Sequence, residues 1–226
     1  NIDRADFRWG GSETGTVGYP CWSTFPAPCS HHKRIESNVD QIELLKHGDK
    51  DGKYWVPAMA DTPLRGANGR HDENNIYPLN ELMDKYEKSV GRNATLILGL
   101  TPDPNGLIPT GDEQRLKEFG TEINRRFSSP LAQTSGQKKS LTLKLDKKQP
   151  VNYCIIQENI QNGERIRQYK VEAKVNGKWQ TVCSGESVGH KRIEKFDPVE
   201  ATALRLTVLQ SIALPDIINF SAFSVN

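Results

Sequence analysis

Hydrophobic residues recur every three to four positions in parts of the first 130 residues, a spacing that predicts amphipathic helices. The predicted helices cover 38–47, 79–90 and a longer segment that a capping box opens at 110–113. Two apolar runs, 54–65 and 94–100, are typical of buried strands. This alternation of helices and strands indicates an α/β region.

Beyond residue 139 the hydrophobic period shortens to two, which is typical of strands with one buried face. The alternating runs are 141–145, 151–155, 169–175 and 204–208. Asn-Gly pairs at 162–163 and 176–177 each predict a β-hairpin. We therefore predict an all-β domain, a small antiparallel β-sandwich of the discoidin-like or jelly-roll kind.

The pattern divides the chain into three parts. Residues 1–130 form the α/β region, residues 131–139 have the composition of a linker, and residues 140–226 form the sandwich. The α/β region is much shorter than a complete (β/α)8 barrel, which takes about 250 residues. We expect it to be the C-terminal portion of such a barrel. The N-terminal half would then precede Asn1, and the chain would be a processed or truncated piece, since it does not begin with Met.

Composition excludes some classes of partner. The 226 residues are 35% hydrophobic and 26% charged, and 30 basic against 28 acidic residues leave a net charge of +2. That balance gives no electrostatic reason to expect nucleic acid or an anionic membrane. No apolar stretch approaches the roughly 20 residues of a membrane helix, and the mean hydropathy is −0.64.

The cysteines and the paired histidines do not predict a metal site. The four cysteines, at 21, 29, 154 and 183, form no CxxC pair. Cys21 and Cys29 flank a Pro-rich loop and could form a disulfide, but we expect free thiols overall. No further ligand stands at metal-binding distance from His31 and His32 in the sequence. A contact between His32 and a substrate hydroxyl is the preferred interpretation, and we expect no metal or cofactor.

The first candidate for chemistry is the stretch from Asp6 to Gly15. It places one carboxylate, Glu13, among glycines that let a bulky group approach the backbone closely. Trp9 lies beside it, so a sugar ring could stack on an aromatic while an acid protonates its glycosidic oxygen. The alternative is a surface loop with a solvated glutamate.

Further candidates follow in the α/β region. Trp22 is expected to be an exposed aromatic, because a Pro-rich loop has little core to join. Trp55 is either a sugar platform or part of the barrel core. Asp61 and Arg65 end a strand in which Pro57 is unfavourable, and they either contact substrate or pair with each other.

Other charged residues are expected to hold the structure together. We interpret Arg92 as an anchor beside a buried strand. In the sandwich, the residues expected to hold loops or the domain interface are Glu158, Arg165, Arg167 and Arg192. Two glycosylation sequons, at Asn93 and Asn219, lie in or beside strands, and we expect neither to be used.

Several motifs together resemble family 29 of the glycoside hydrolases, the α-L-fucosidases. Asp6-Phe7-Arg8-Trp9 with Glu13 and then Trp22-Ser23 is similar to the acid/base region of that family. The most specific motif is Ser89-Val90-Gly91-Arg92-Asn93-Ala94-Thr95-Leu96-Ile97-Leu98. Tyr54-Trp55-Val56-Pro57-Ala58 with Asp61 and Arg65, and Gly163-Glu164-Arg165-Ile166-Arg167-Gln168-Tyr169 in the sandwich, also fit. The likeness covers nearly the whole chain.

The resemblance implies a retaining exo-α-L-fucosidase that removes terminal α-L-fucose from oligosaccharides or glycoconjugates. Glu13 would be the general acid/base, and substrate contacts would come from Trp9, Trp22, His32, Trp55, Asp61 and Arg65. The family's aspartate nucleophile lies in a Trp-x-Asp context that this chain lacks. The chain alone is therefore expected to be inactive. The loop at 66–74 also departs from the family, because it has neither the Trp nor the Phe that relatives often carry there.

Two functions compete at this point. The first is the fucosidase, acting on a fucosylated glycan together with the N-terminal half of the barrel. The second is a non-catalytic carbohydrate-binding β-sandwich protein with a remnant barrel segment. The resemblance also implies a periplasmic or extracellular location.

Overall fold

The computed structural model describes residues 6–26, 39–66 and 75–226. The described part of the α/β region contains five strands and three helices. They are β1 (Arg8–Trp9), β2 (Thr24–Phe25), α1 (Val39–His47), β3 (Tyr54–Trp55), β4 (Ala58–Pro63), α2 (Leu79–Ser89), β5 (Ala94–Gly99) and α3 (Thr110–Phe127). None of these helices combines the length and the hydropathy that crossing a bilayer requires.

A three-stranded parallel sheet, in the order β1-β4-β5, is the framework of the α/β region. One face of this sheet is buried, with Ala58 and Ala60 packed in its core. The helices α2 and α3 pack together against β5 around Leu82 and Phe119. The other face, which we call the open face, is partly or fully exposed. Its side chains include those of Trp9, Met59, Asp61, Thr95 and Ile97.

The sequence predicted the three helices and β5 to within a few residues. It did not predict β1 or β2, and two further predictions differ from the structure. The run 54–65 is not one strand, because Pro57 separates β3 from β4. The capping box at 110–113 is wrong, since Pro109 precedes the first turn of α3 and no side chain caps it. Glu113 instead pairs with Lys117 one turn later, at 2.6 Å.

The remaining elements form the predicted sandwich. They are β6 (Ala132–Gly136), β7 (Ser140–Glu158), a 3₁₀ helix (Ile160–Asn162), β8 (Ile166–Val175), β9 (Lys178–Gly185), β10 (Arg192–Ser211) and β11 (Ile217–Phe223). The strands pair antiparallel in the order β6-β11-β7-β10-β8-β9. Register shifts lie between Lys195 and Val199 and between Ala201 and Ala203. Such irregularities bend a strand, and here the sheet encloses one continuous core.

Two predictions within the sandwich need correction. The segment 131–139 is not a free linker, because it contains β6, which pairs with β11. The Asn-Gly pair at 162–163 is not a hairpin, since it ends the 3₁₀ helix and β7 and β8 are not neighbours. The pair at 176–177 does form the β8–β9 hairpin, and both residues have positive φ, at 49° and 82°.

The sandwich packs against the helices of the α/β region. Tyr153 and Phe223 lie on the face of the sheet away from its core, where each contacts Phe127 at the end of α3. The ring centroids are 5.7 and 5.6 Å apart, both in edge-to-face geometry. Tyr86 of α2 stacks on the same phenylalanine. The strand β7 is therefore buried on both faces here, although its alternation predicted only one.

Candidate active site

The three parallel strands end at a common edge, which we call the carboxyl edge; their starts define the amino edge. Active-site residues of α/β barrels lie at the carboxyl ends of the strands. The two edges therefore separate the predicted site residues into those that can act together and those that cannot.

Glu13 lies in the loop that follows β1, at the carboxyl edge. We call residues 10–23, which run from β1 to β2, the Glu13 loop. The Gly10 N–H donates to the Met59 carbonyl at 2.8 Å, and the Gly15 N–H donates to the Asp61 carbonyl at 2.9 Å. Glu13 stands between these two anchors and its side chain is exposed. The loop therefore presents one free carboxylate from a backbone fixed on β4.

Gly15 is needed for this arrangement. Its φ of 73° is in the left-handed region, and an added Cβ would lie 2.8 Å from the Thr62 side chain. The sequence suggested that the glycines make room for a ligand. The structure shows that Gly15 makes room for β4 itself.

Trp9 and Asp61 meet on the open face. The indole Nε1 of Trp9 donates to Oδ1 of Asp61 at 2.7 Å, and Trp9 as a residue remains 38% exposed. This bond orients an exposed aromatic surface close to the start of the Glu13 loop. Trp9, Glu13 and Asp61 are thus brought together as predicted candidates.

Arg65 also lies at the carboxyl edge, but its guanidinium is buried. It forms a two-point ion pair with Asp112 in the first turn of α3, with Nη2–Oδ1 at 2.5 Å and Nε–Oδ2 at 3.2 Å. Asp61 thus bonds to Trp9 and Arg65 pairs with Asp112, whereas the sequence had left open that Asp61 and Arg65 pair with each other. Asp112 was missed because its place in a presumed capping box suggested a helix-end role.

Trp22 and Trp55 lie toward the amino edge instead. Trp22 is 4% exposed, so the expectation of an exposed aromatic is wrong. The guanidinium of Arg167, from the sandwich, covers its ring at 4.7 Å. Trp55 is 40% exposed on β3, which precedes β4. Trp55 therefore lies before the amino end of β4, whereas Asp61 is the fourth residue of that strand.

The sandwich is joined to the α/β region at this amino edge. Asn93, directly before β5, donates to the buried carboxylate of Glu164, and its side-chain oxygen accepts from the His190 N–H at 2.8 Å. Glu164 also accepts from the Ser23 N–H at 3.0 Å. Burial raises the pKa of Glu164. Asn93 is thus engaged inside the interface, in agreement with an unused sequon.

The residues expected to be anchors have that role. Arg192 packs on the ring of Tyr19 at 3.9 Å and donates to the Gly91 carbonyl. Arg92 donates to the Val17 carbonyl at 2.9 Å. Arg165 donates to the Leu214 carbonyl.

Glu158 is the most deeply buried of the anchors. Its carboxylate accepts from the main-chain N–H groups of Arg165, Ile166 and Gly189 at 2.9–3.0 Å. Burial outweighs these bonds and raises its pKa to about 7. Glu158 thereby ties together the turn before β8 and the loop before β10.

Some predictions fall outside the described residues. His32, Cys29 and most of the loop at 66–74 lie there, so the suggested contact of His32 stays a prediction. Cys21, Cys154 and Cys183 are free thiols. In the described ranges, no three His, Cys, Asp or Glu side chains cluster closely enough to hold a metal ion.

Comparisons with known proteins agree with this architecture. Residues 111–219 match the F5/8 type C domain, which covers α3 and most of the sandwich. The alpha-L-fucosidase 1 of Arabidopsis thaliana is 32% identical to 90% of this chain. The chain spans about half the length of the curated relatives it matches, 46% in this case.

Two solved structures share the whole arrangement. A Bacteroides thetaiotaomicron protein assigned as an alpha-L-fucosidase is 84% identical, with a TM-score of 0.94 over 100% of this chain and 53% of its own. A glycoside hydrolase 29 family member from an unknown rumen bacterium is 32% identical, with a TM-score of 0.86 over 99% of this chain and 41% of its own. The chain therefore belongs to glycoside hydrolase family 29, the α-L-fucosidases, and corresponds to their C-terminal region.

Proposed function

We propose that this chain supplies the acid/base part of a retaining exo-α-L-fucosidase. Glu13 protonates the glycosidic oxygen as the leaving group departs, and then deprotonates the water that hydrolyses the glycosyl-enzyme intermediate. The nucleophile comes from the N-terminal half of the barrel, outside this chain. The substrate is a terminal α-L-fucosyl group on a glycan.

The position of Glu13 is the observation that carries this proposal. Its carboxylate is exposed at the carboxyl edge, on a loop whose backbone is bonded to β4 at Met59 and Asp61. General acid catalysis needs a proton donor within hydrogen-bond reach of the leaving oxygen, so a fixed backbone with a free carboxyl suits the role.

Trp9 and Asp61 are the best-supported substrate contacts. Both lie on the open face beside the Glu13 loop, and their mutual hydrogen bond fixes the plane of the indole ring. Arg65 shapes the same edge through Asp112. For Trp22 and Trp55, the positions near the amino edge favour structural roles over contact with the sugar.

One cavity beside the sandwich does not favour the non-catalytic alternative. A cavity of about 280 Å³ lies between the sandwich and the loop before β3. The described residues that line it are polar or aliphatic, namely Lys50, Asp51, Arg167, Gln168, Glu186, Gln210 and Ile212. No aromatic ring is among them, so the cavity offers no stacking platform for a sugar.

The substitution Glu13→Gln tests the proposal in the protein that contains this chain and the rest of its barrel. We expect kcat/KM for alkyl fucosides to fall by about 10²-fold or more, because their poor leaving groups need protonation. Fucosides with a dinitrophenyl leaving group should keep most of their kcat/KM, and azide should partly restore their turnover.

Glu113→Gln is the matched control, since Glu113 is an exposed carboxylate in the first turn of α3. Glu113→Gln should leave kcat/KM unchanged for both the alkyl and the dinitrophenyl fucosides. Near-normal hydrolysis of alkyl fucosides by Glu13→Gln would remove Glu13 from the acid/base role. Turnover by residues 1–226 alone would contradict the placement of the nucleophile outside this chain.

A further inference from the structure

A lysine lies beneath the Glu13 loop and is not accounted for by the proposed chemistry. Lys85 lies in α2 and is buried, with a fractional exposure of 8%. Its Nζ donates to the carbonyl oxygen of Thr14 at 2.9 Å. Thr14 is the residue directly after Glu13, so the ammonium group holds the peptide next to the candidate acid/base.

The contacts of Lys85 direct its ammonium group toward the carboxyl edge. Nζ lies 4.4 Å from the centre of the Tyr77 ring and 3.4 Å from the carboxylate of Glu81, one turn earlier in α2. Helical side chains point toward the start of their helix, and the start of α2 faces the carboxyl edge. The aliphatic part of Lys85 would lie 3.1 Å from a Cβ on Gly15, so the loop rests directly on it.

Thr14 is also the centre of a hydroxyl chain within the loop. Its Oγ1 is 2.8 Å from the Ser12 hydroxyl and 2.9 Å from the Thr16 hydroxyl. These bonds fix the two sides of the turn that carries Glu13 relative to each other. The bond from Lys85 then fixes the whole turn relative to α2.

We propose that Lys85 is a positioning residue for Glu13: its charge-assisted bond to Thr14 holds the acid/base turn in its productive place. This rests on the proposed function of Glu13. An ammonium donor gives a stronger bond than a neutral one, and burial shields it from competing water. Loss of the bond frees the turn to move, and displacement of a catalytic group by about 1 Å can cost about 10²-fold in rate.

The test compares Lys85→Met with Lys88→Met in the protein that contains the rest of the barrel. Lys88 lies on the same helix, but it is exposed and pairs with Asp84. We expect Lys85→Met to lower kcat/KM for alkyl fucosides by about tenfold, while dinitrophenyl fucosides change less than about twofold. Lys88→Met should change neither. Lys85→Arg keeps a charged donor and should recover most of the loss.

The leaving-group dependence separates positioning from general stability. An equal loss on both substrates, or no loss, would overturn the role of Lys85. Thr14→Val removes the hydroxyl chain but keeps the Thr14 carbonyl that Lys85 bonds, so it measures the hydroxyl chain separately. If Lys85→Met does not fold, Lys85→Gln, which is shorter and uncharged, decides the question and should show the same dependence. Glu13→Gln is measured on the same substrates. If Glu13→Gln shows no leaving-group dependence, the proposed function itself fails. If Glu13→Gln shows the dependence but Lys85→Met has no effect, only the positioning role of Lys85 is refuted.

Discussion

The two edges of the parallel sheet differ in what covers them. At the amino edge, buried and half-buried hydrogen bonds of Asn93, Glu164 and Arg192 connect the sheet and its loops to the sandwich. At the carboxyl edge, the exposed Glu13 stands near the partly exposed Trp9. The sandwich therefore supports the sheet from the side where chemistry is not expected. The contacts with the sandwich and the candidate chemistry lie at opposite ends of the same strands.

The two regions also bury carboxylates by different means. Asp112, in the α/β region, is neutralised by the guanidinium of Arg65. Glu158, in the sandwich, is held by three main-chain N–H groups, and burial raises its pKa. The carboxylate of Asp112 needs a cation beside it, whereas burial favours the protonated form of Glu158. Substitution should therefore affect them in different ways.

The largest expected effect is at the ion pair of the α/β region. Asp112→Ala leaves the buried cation of Arg65 without its partner, and we expect the free energy of unfolding to fall by about 3–5 kcal/mol. Glu113→Ala, at the adjacent exposed position, should give no measurable change. Urea denaturation followed by circular dichroism measures both. Similar midpoints for the two variants would show that the ion pair is not needed for the carboxyl edge.

A second pair of variants compares the closed core with the open face. Ile156 is fully buried in the sandwich, whereas Ile97 is 45% exposed on β5. Ile156→Ala should lower the free energy of unfolding by about 2–5 kcal/mol, because it leaves a cavity. Ile97→Ala in residues 1–226 should cost less than about 1 kcal/mol.

The same isoleucines also test whether the open face is covered in a longer protein. If the rest of the barrel covers it, Ile97→Ala should become clearly more destabilising there than in residues 1–226, with denaturant midpoints as the measurement. If Ile97→Ala costs as much in residues 1–226 as in the longer protein, the open face is already covered in residues 1–226. The contrast between the closed core of the sandwich and the open face would then be wrong.

Periodicity predicted much of the fold because most elements bury one face against neighbours close in sequence. The helix 79–90 and the hairpin at 176–177 are examples. Strand β6 was missed because its partner, β11, lies about 80 residues away and the Ser- and Gly-containing segment carries no hydrophobic alternation. The hairpin predicted at 162–163 was wrong because an Asn-Gly pair specifies a tight turn but not which strands pair.

The site was harder to predict, since position along a strand decides which residues meet. Trp9 was identified as an aromatic close to Glu13 in sequence, and Asp61 as a polar residue toward the end of a predicted strand; the structure joins the two by a hydrogen bond. Trp55 is close to Asp61 in sequence, yet it lies on β3, before the start of β4, whereas Asp61 lies within β4. Lys85 left no signal, because a lysine on an amphipathic helix is normally solvated. Its burial and its contact with Thr14 distinguish it from Lys88.

The last comparison concerns Glu158 and depends on pH. Burial raises its pKa in the folded state to about 7, above the ordinary value of 4.5, so the folded protein holds this proton more tightly than the unfolded chain. Its contribution to stability is therefore present below pH 4.5 and is lost as the pH rises to about 7, by up to about 3 kcal/mol. Glu158→Gln cannot ionise, so the curve of unfolding free energy against pH should lose this decline.

Glu172→Gln is the control. Hydrogen bonding to Arg205 lowers the pKa of Glu172, so the change in unfolding free energy that this variant causes should depend on pH only below pH 4.5. Parallel curves for the wild type and Glu158→Gln between pH 4.5 and 7 would show that Glu158 is ionised as readily in the fold as in water. The sandwich would then hold its buried carboxylate as a charge, as the α/β region does with Asp112.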